Sequence, residues 1–274
     1  MWHKLPMRYC VLGSGSNGNS CYIEHGSTRV LLDVGLGPVI LTRRLKPLGV
    51  SLKDITHVLL THEHWDHTKG LPGVLRRNPE VQVMSTAGTF TRLGRLKLKK
   101  DFNRKHLNKS GKKSLGDITV HSFSTSHDSA DSVGYRLEST HGTLGFATDL
   151  GVFNDKIVDF LRGVTGLVIE ANHCSQLLNS GPYPFYLKRR VGGVDGHLSN
   201  SQCRDLLERV LHDDLVHLTM AHLSDTNNTP EAIWETLSPL YSGPAPPNNW
   251  SLGSRYGPLD PVDLSPQLSF DSLL

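Results

Sequence analysis

The sequence lacks most of the features that would set it apart from ordinary intracellular globular proteins. It has only four cysteines, Cys10, Cys21, Cys174 and Cys203, and no two of them form a C-x-x-C pair. A structural zinc ribbon is therefore excluded, and a chain of 274 residues has no need of disulfide staples. The thiols read as reduced. No apolar run approaches the length that spans a bilayer, and Met1 to Pro6 has no continuous apolar region of the kind found in signal peptides. A cytoplasmic protein with no membrane partner is expected. Strong net charge is also missing: 29 basic side chains stand against 26 acidic ones, a balance of +3, so overall charge does not announce a polyanion binder. With 37% hydrophobic and 20% charged residues the chain is globular, and it is long enough to bury a substantial core.

What is present centres on Thr61 to His67, Thr-His-Glu-His-Trp-Asp-His. Three histidines and an aspartate directly follow Ile55–Leu60, a run with the length and β-branched content of a buried strand. Imidazole nitrogen and carboxylate oxygen both bind borderline divalent cations, and a loop leaving a strand can aim alternate side chains at one point. The heptapeptide is a candidate metal site at a strand end.

The same pattern recurs along the chain. Strands expected at Arg8–Leu12, Cys21–Glu24 and Thr28–Leu32 lead to Asp33; Ile118–Phe123 leads to His127, Thr143–Ala147 to Asp149, Gly166–Ile169 to Glu170 and His173, and Leu215–Met220 to His222. Helices are expected over Pro38–Leu48, Lys69–Arg77, Lys156–Arg162, Leu198–Leu211 and Pro230–Leu240. A hairpin followed by alternating strands and helices predicts an α/β or α+β sandwich. Gly13 to Ser20 is a small polar loop whose backbone N–H groups either bind a phosphate or simply join two strands. Arg92 to Lys113 holds ten basic residues against Asp101 alone, which reads either as a solvated face or as a footprint for a polyanion. From Ser242 the chain turns rich in Pro, Ser, Gly and Asn, so residues 1–241 read as the catalytic domain and 242–274 as a disordered or loosely packed tail.

The order and spacing of these motifs, His-x-His-x-Asp-His after an Asp-x-Gly and before separate His, Asp and His, resemble the metallo-β-lactamase fold over residues 8 to about 240. Gly13–Ser20, His127-Asp128, Asp131–Tyr135, Glu170–His173, Gly196–Asn200 and His222–Ser224 further resemble the bacterial YycJ/WalJ (VicX) exonuclease group, with Cys174 replacing an aspartate typical of that group. The resemblance implies an αββα sandwich of two mixed β-sheets flanked by helices. It implies two divalent ions, Zn2+ or Mn2+, with His62, His64 and His127 on one, Asp66, His67 and His222 on the other, and Asp149 between them. Asp33 is expected to orient a ligand histidine, with Glu170 in support. The implied partner is nucleic acid, namely DNA, cleaved 5′ to 3′ by metal-assisted attack of water on a phosphodiester. Asp66 and the metals would carry the reaction, with His197 as proton donor or phosphate contact and His173 behind it; a helix-capping histidine is the other reading of His197. Ser16, Asn17 and Asn19, together with Lys188, Arg189 and Arg190, are the expected phosphate contacts. A small-molecule hydrolase of the same fold and a non-catalytic regulator are the rival readings, and the second fits a complete ligand set poorly.

Overall fold

The computed structural model describes residues 6–96, 98 and 101–265. Two mixed sheets, each of seven strands among these residues, lie face to face. The first contains β1 (Arg8–Gly13), β2 (Ser20–His25), β3 (Thr28–Leu32), β4 (His57–Leu59), β5 (Gln82–Ser85) and β6 (Arg104–His106). The second contains β7 (Gly111–Ser114), β8 (Thr119–Ser124), β9 (Val133–Ser139), β10 (Gly142–Ala147), β11 (Gly166–Glu170), β12 (His217–Ala221) and β13 (Trp250–Leu252), and β14 (Val262–Asp263) returns to pair with β1. The hairpin β1–β2–β3 is antiparallel, whereas β3 through β6 and β10 through β13 are parallel and joined by crossovers that place helices outside.

The layers follow from the burial of alternate side chains. Tyr9, Val11, Ile23, Val30 and Leu32 of the first sheet meet Val120, Tyr135, Leu137, Leu144 and Val168 of the second in one apolar cluster between the sheets. The outer faces are covered separately, by the helix Pro38–Leu45 with Leu71–Arg77 on one side, and by Asn200–Val210 with Pro230–Leu237 on the other. The helix Asn200–Val210 begins with a capping box in which Ser199 and Gln202 satisfy each other's backbone N–H groups. This is the αββα sandwich implied by the motifs.

Three expectations need adjustment. The basic stretch supplies the edge strands β6 and β7, one on each sheet, and their residues are almost all exposed. Charged side chains at unpaired sheet edges oppose strand-to-strand association, which gives this run a structural use. Lys97, Lys99 and Lys100 of the same run lie outside the described residues. Second, the stretch from Ser242 to Ser265 is not a loose tail: β13 extends the parallel ladder on β12, β14 pairs with β1, and Leu264 is fully buried between the sheets. Residues 266–274 lie outside the described residues. Third, Ser175–Ser180 and Phe185–Val191 are among the short helices that went unforeseen, as is Ala87–Arg92. Cys174 occupies the N-cap of the first without a side-chain capping bond. Cys174→Asp is expected to raise stability by ~1 kcal/mol, because a carboxylate there can accept an orphan N–H and face the positive helix end. A thermal melt checks this, and an unchanged or lower midpoint would show that the cap geometry does not accept the carboxylate.

Candidate metal centre

Strand ends converge on one point between the two sheets. Three of the residues found there, Asp33, Asp149 and His222, have positive φ of 58°, 57° and 56° and are the non-glycine residues in that region among those described. Each follows a strand, and the left-handed turn swings its side chain out of the pleat toward the cluster. Such a conformation is costly for non-glycine residues and tends to persist where function requires it. Gly35, two residues after Asp33, permits the other close approach. A Cβ there would stand 1.6 Å from the Asp66 carbonyl oxygen, so only glycine lets the metal motif lie against this turn.

The ligand atoms of His62, His64 and His127 lie within 4.8 Å of one another, as do those of Asp66, His67 and His222, and those of His62, His67 and Asp149. Asp149 is central. Its Oδ1 is 3.5 Å from His127 Nε2 and 3.7 Å from His222 Nε2, and its Oδ2 is 3.2 Å from His67 Nε2. The opposite ring nitrogens are tied: His62 Nδ1 to the Thr61 hydroxyl at 2.9 Å, His67 Nδ1 to Asp33 at 2.7 Å, His127 Nδ1 to the Gly196 carbonyl at 3.0 Å, and His222 Nδ1 to Glu170 at 2.9 Å. Each of these rings therefore turns Nε2 inward, the orientation in which histidine ligands are held by outer partners.

Whether this cluster fits metal ions is answered by its unsatisfied atoms. His62 Nε2 is buried without a hydrogen-bond partner, and Asp149 Oδ2 makes no hydrogen bond of regular geometry despite the nearby His67 ring. His64 Nδ1 and His127 Nε2 face each other at 3.2 Å. Buried nitrogen and oxygen lone pairs aimed at one another are destabilising unless a cation or proton sits among them. Neutral imidazole and carboxylate with no thiolate suit borderline divalent ions, so the residues present fit the expected pair.

Electrostatics without the ions point the same way. Burial alone would lower the His222 pKa, but Asp149, Asp66 and Glu170 outweigh it and push the ring up to about 10. His67 is likewise held well above the usual imidazole range by Asp149, Asp33 and Asp66 against its burial. His62 goes the other way, well down, because burial and the neighbouring His67 both disfavour its charge. Asp149 is kept ionised, against burial, by His222, His67 and His62.

Glu170 is more than a support. It is fully buried at the end of β11, and its Oε1 receives His197 Nδ1 at 2.8 Å and His222 Nδ1 at 2.9 Å, while Oε2 accepts the Leu150 and Leu198 N–H groups. Burial would raise its pKa; His197 and His222 instead hold it down to about 2. Glu170→Gln keeps the shape but places an amide N–H₂ against rings that must then give up their donors. Activity at low metal is expected to fall by about 10- to 100-fold, the usual cost of altering an outer partner of a metal ligand, and to recover in part at raised metal concentration. Titration of activity against Mn2+ checks this; a loss untouched by added metal would mean that Glu170 acts through His197 alone.

The metal cleft, of about 220 Å³, is lined by His64, Asp66, His127, Asp149, His197 and His222, with Ser16 on its rim and Tyr183, Leu187 and Arg190 on the wall supplied by the helix Phe185–Val191 and the turn before it. Among the expected phosphate contacts, Ser16 and Arg190 reach this cleft, and Arg190 is paired with Asp128. Asn19 does not contact it as a free group: its side-chain amide is 3.2 Å from Asp66 Oδ2 and 3.0 Å from His67 Nε2, which commits it to positioning the cluster. Asn17 is exposed, with its carbonyl bonded by Lys69. Lys188, Arg189 and His173 line a different cleft on the far side of the helix, so His173 does not stand at the reacting centre. Glu63 and Trp65 turn away from the cluster, the first accepting the Ala130 N–H at 3.0 Å and the second largely exposed. Asn172 was passed over in the sequence; its amide holds the His222 carbonyl at 2.7 Å, and its position between Glu170 and His173 was the available signal.

With the geometry in place, comparison with known proteins is decisive at the level of family. A profile described as the beta-lactamase superfamily domain matches residues 28–218. The chain belongs to the metallo-β-lactamase fold family. It is 33% identical over 235 residues to the exodeoxyribonuclease YycJ of Bacillus anthracis, covering 85% of this chain and 89% of that one. It is also 33% identical over 237 residues to the exodeoxyribonuclease WalJ of Streptococcus pneumoniae strain D39, covering 85% and 88%. Among solved structures, the metallo-beta-lactamase fold protein YhfI of Bacillus subtilis superposes with a TM-score of 0.69 at 15% identity, covering 93% of this chain and all of that one, a likeness of fold. As a member of this hydrolase family with its His and Asp clusters assembled, the protein is a metal-dependent hydrolase. None of its described helices is long and apolar enough to cross a membrane.

Proposed function

We propose that the protein hydrolyses phosphodiester bonds in DNA as a 5′ to 3′ exonuclease serving DNA repair or processing, with two Zn2+ or Mn2+ ions. The observation that carries this reading is the convergence of seven candidate ligands at a cleft to whose wall the helix Phe185–Val191 contributes Arg190. Similarity to two exodeoxyribonucleases over 85% of the chain supports the choice of DNA.

His62, His64 and His127 would hold one ion and Asp66, His67 and His222 the other, with Asp149 shared between them. When bound, the ions supply Lewis-acid stabilisation of charge on the phosphoryl oxygens and activation of water. The chain's own groups do the rest. Asp33 fixes His67 through Nδ1 and Asn19 holds the Asp66 carboxylate, which positions two of the second group of ligands. His197, fixed through Nδ1 by Glu170, has Nε2 available at the cleft to carry a proton to the leaving oxygen. Arg190, with its guanidinium at the same wall, holds a backbone phosphate in register.

The test is incubation of purified protein, supplied with Mn2+ or Zn2+, with end-labelled double-stranded DNA, single-stranded DNA and RNA, beside Asp66→Ala. Release of mononucleotides from the 5′ end of DNA by wild type and not by the variant is expected, with rates falling as salt rises. Equal release by both proteins ends the nuclease reading, and turnover restricted to a small phosphodiester or thioester would replace it with a small-molecule hydrolase.

A further inference from the structure

The helix Phe185–Val191 is a ridge between two clefts. Tyr183, Leu187, Arg190 and Val191 face the metal cleft, whereas Phe185, Lys188, Arg189 and Gly192 face a larger one of about 1,050 Å³ on the other side. None of the helix's seven residues is buried, and Phe185 and Tyr186 are 74% and 73% exposed. The core therefore gains nothing from these rings. The second cleft is lined by two cations and by no carboxylate. Arg189 lies 5.8 Å from the centroid of the Phe185 ring, which couples a flat apolar face to a guanidinium. At the base of this cleft His173 is 3% exposed, and its Nδ1 has no hydrogen-bond partner.

Exposed aromatic faces interleaved with cations, beside a buried polar atom in want of a partner, match single-stranded nucleic acid: bases stack while phosphates pair with the cations. The metal cleft, of about 220 Å³, lies on one side of this ridge and the larger cation-lined cleft on the other, so strands led into the two clefts would be divided by the helix. We propose, on the strength of the nuclease reading above, that this helix parts the two strands at a duplex end. The strand to be cleaved enters the metal cleft; its complement is received by the second cleft, with a base on Phe185 and phosphates on Lys188 and Arg189. The opening of the terminal pair is then offset by stacking on the protein.

The test compares wild type, Phe185→Ala and Phe185→Trp, all loaded with Mn2+, on a blunt duplex, on the same labelled strand alone, and on a duplex with mismatched terminal pairs. Phe185→Ala is expected to slow cleavage of the blunt duplex by about tenfold, to leave the single strand and the frayed duplex within about twofold of wild type, and to be rescued by Phe185→Trp. Its exposure makes misfolding no obstacle. An unchanged duplex rate, or equal slowing on all three substrates, overturns the strand-parting role while leaving the nuclease reading in place. A wild type that cleaves none of them overturns both.

Discussion

Replacement of Asp149 by asparagine is expected to lower phosphodiester hydrolysis by about 10³-fold or more while leaving the fold intact. The substitution keeps volume and shape. It also suits the backbone, because Asp149 sits at φ 57° and asparagine is among the few non-glycine residues that tolerate the left-handed region. What changes is charge. The carboxylate stands within 3.7 Å of ring nitrogens from His67, His127, His197 and His222, which makes it the group shared by both halves of the cluster. An amide supplies one weaker oxygen and turns its N–H₂ toward the remaining ligands, so a cation held between them loses attraction and gains a clash. Metal assistance worth several kcal/mol corresponds to about three powers of ten in rate at ~1.4 kcal/mol each. Turnover of bis(4-nitrophenyl) phosphate, with bound metal counted by atomic emission, checks both parts. Full metal content with activity within about tenfold of wild type would remove Asp149 from the shared position.

The parts of the centre that were legible in the sequence were those in which residue type and spacing state a chemistry. His62, His64, Asp66 and His67 occupy six positions after a short strand, and His127, Asp149 and His222 each follow an apolar run, so the strand-end pattern alone names them. Their geometry was not legible. The left-handed turns at Asp33, Asp149 and His222 have no glycine to mark them. The position of Glu170 as the hub between His197 and His222 depends on β11 and β12 lying side by side, a contact between residues 52 positions apart. Asn19 reads in sequence as one more polar residue of a glycine-rich loop, yet the fold returns it to Asp66, 47 positions on. The helix Phe185–Val191 escaped because it buries nothing, and periodicity can report only what a core demands.

Deletion of residues 242–274 is expected to produce an aggregating or only partly folded protein. The segment was misread because its apolar residues are isolated among Pro, Gly, Ser and Asn, a composition that ordinarily cannot offset chain entropy. Here each is used singly, on scaffolding already built. Trp250 and Leu252 pair with Leu218 and Met220 along β12, and the Gly253 N–H reaches the Met220 carbonyl at 2.7 Å. The Leu259 N–H bonds to Val11, and the Leu264 N–H bonds to Met7 at 2.8 Å while its side chain fills the space between the sheets. Along the way the Arg255 carbonyl accepts from the guanidinium of Arg44, which is buried beneath the first loop. Truncation thus opens the β1 edge of one sheet and the β12 edge of the other and empties a core position. A buried leucine alone is worth ~2–5 kcal/mol, and the other anchors bring the loss to the order of the whole stability of a typical domain, ~5–15 kcal/mol. The exposed edges then offer templates for intermolecular pairing. The decisive comparison is of melting curves: deletion from 242 should abolish the cooperative transition that the full chain shows. A cooperative melt within a few degrees of wild type for the deleted protein would show that the returning strands decorate the sandwich and do not hold it closed.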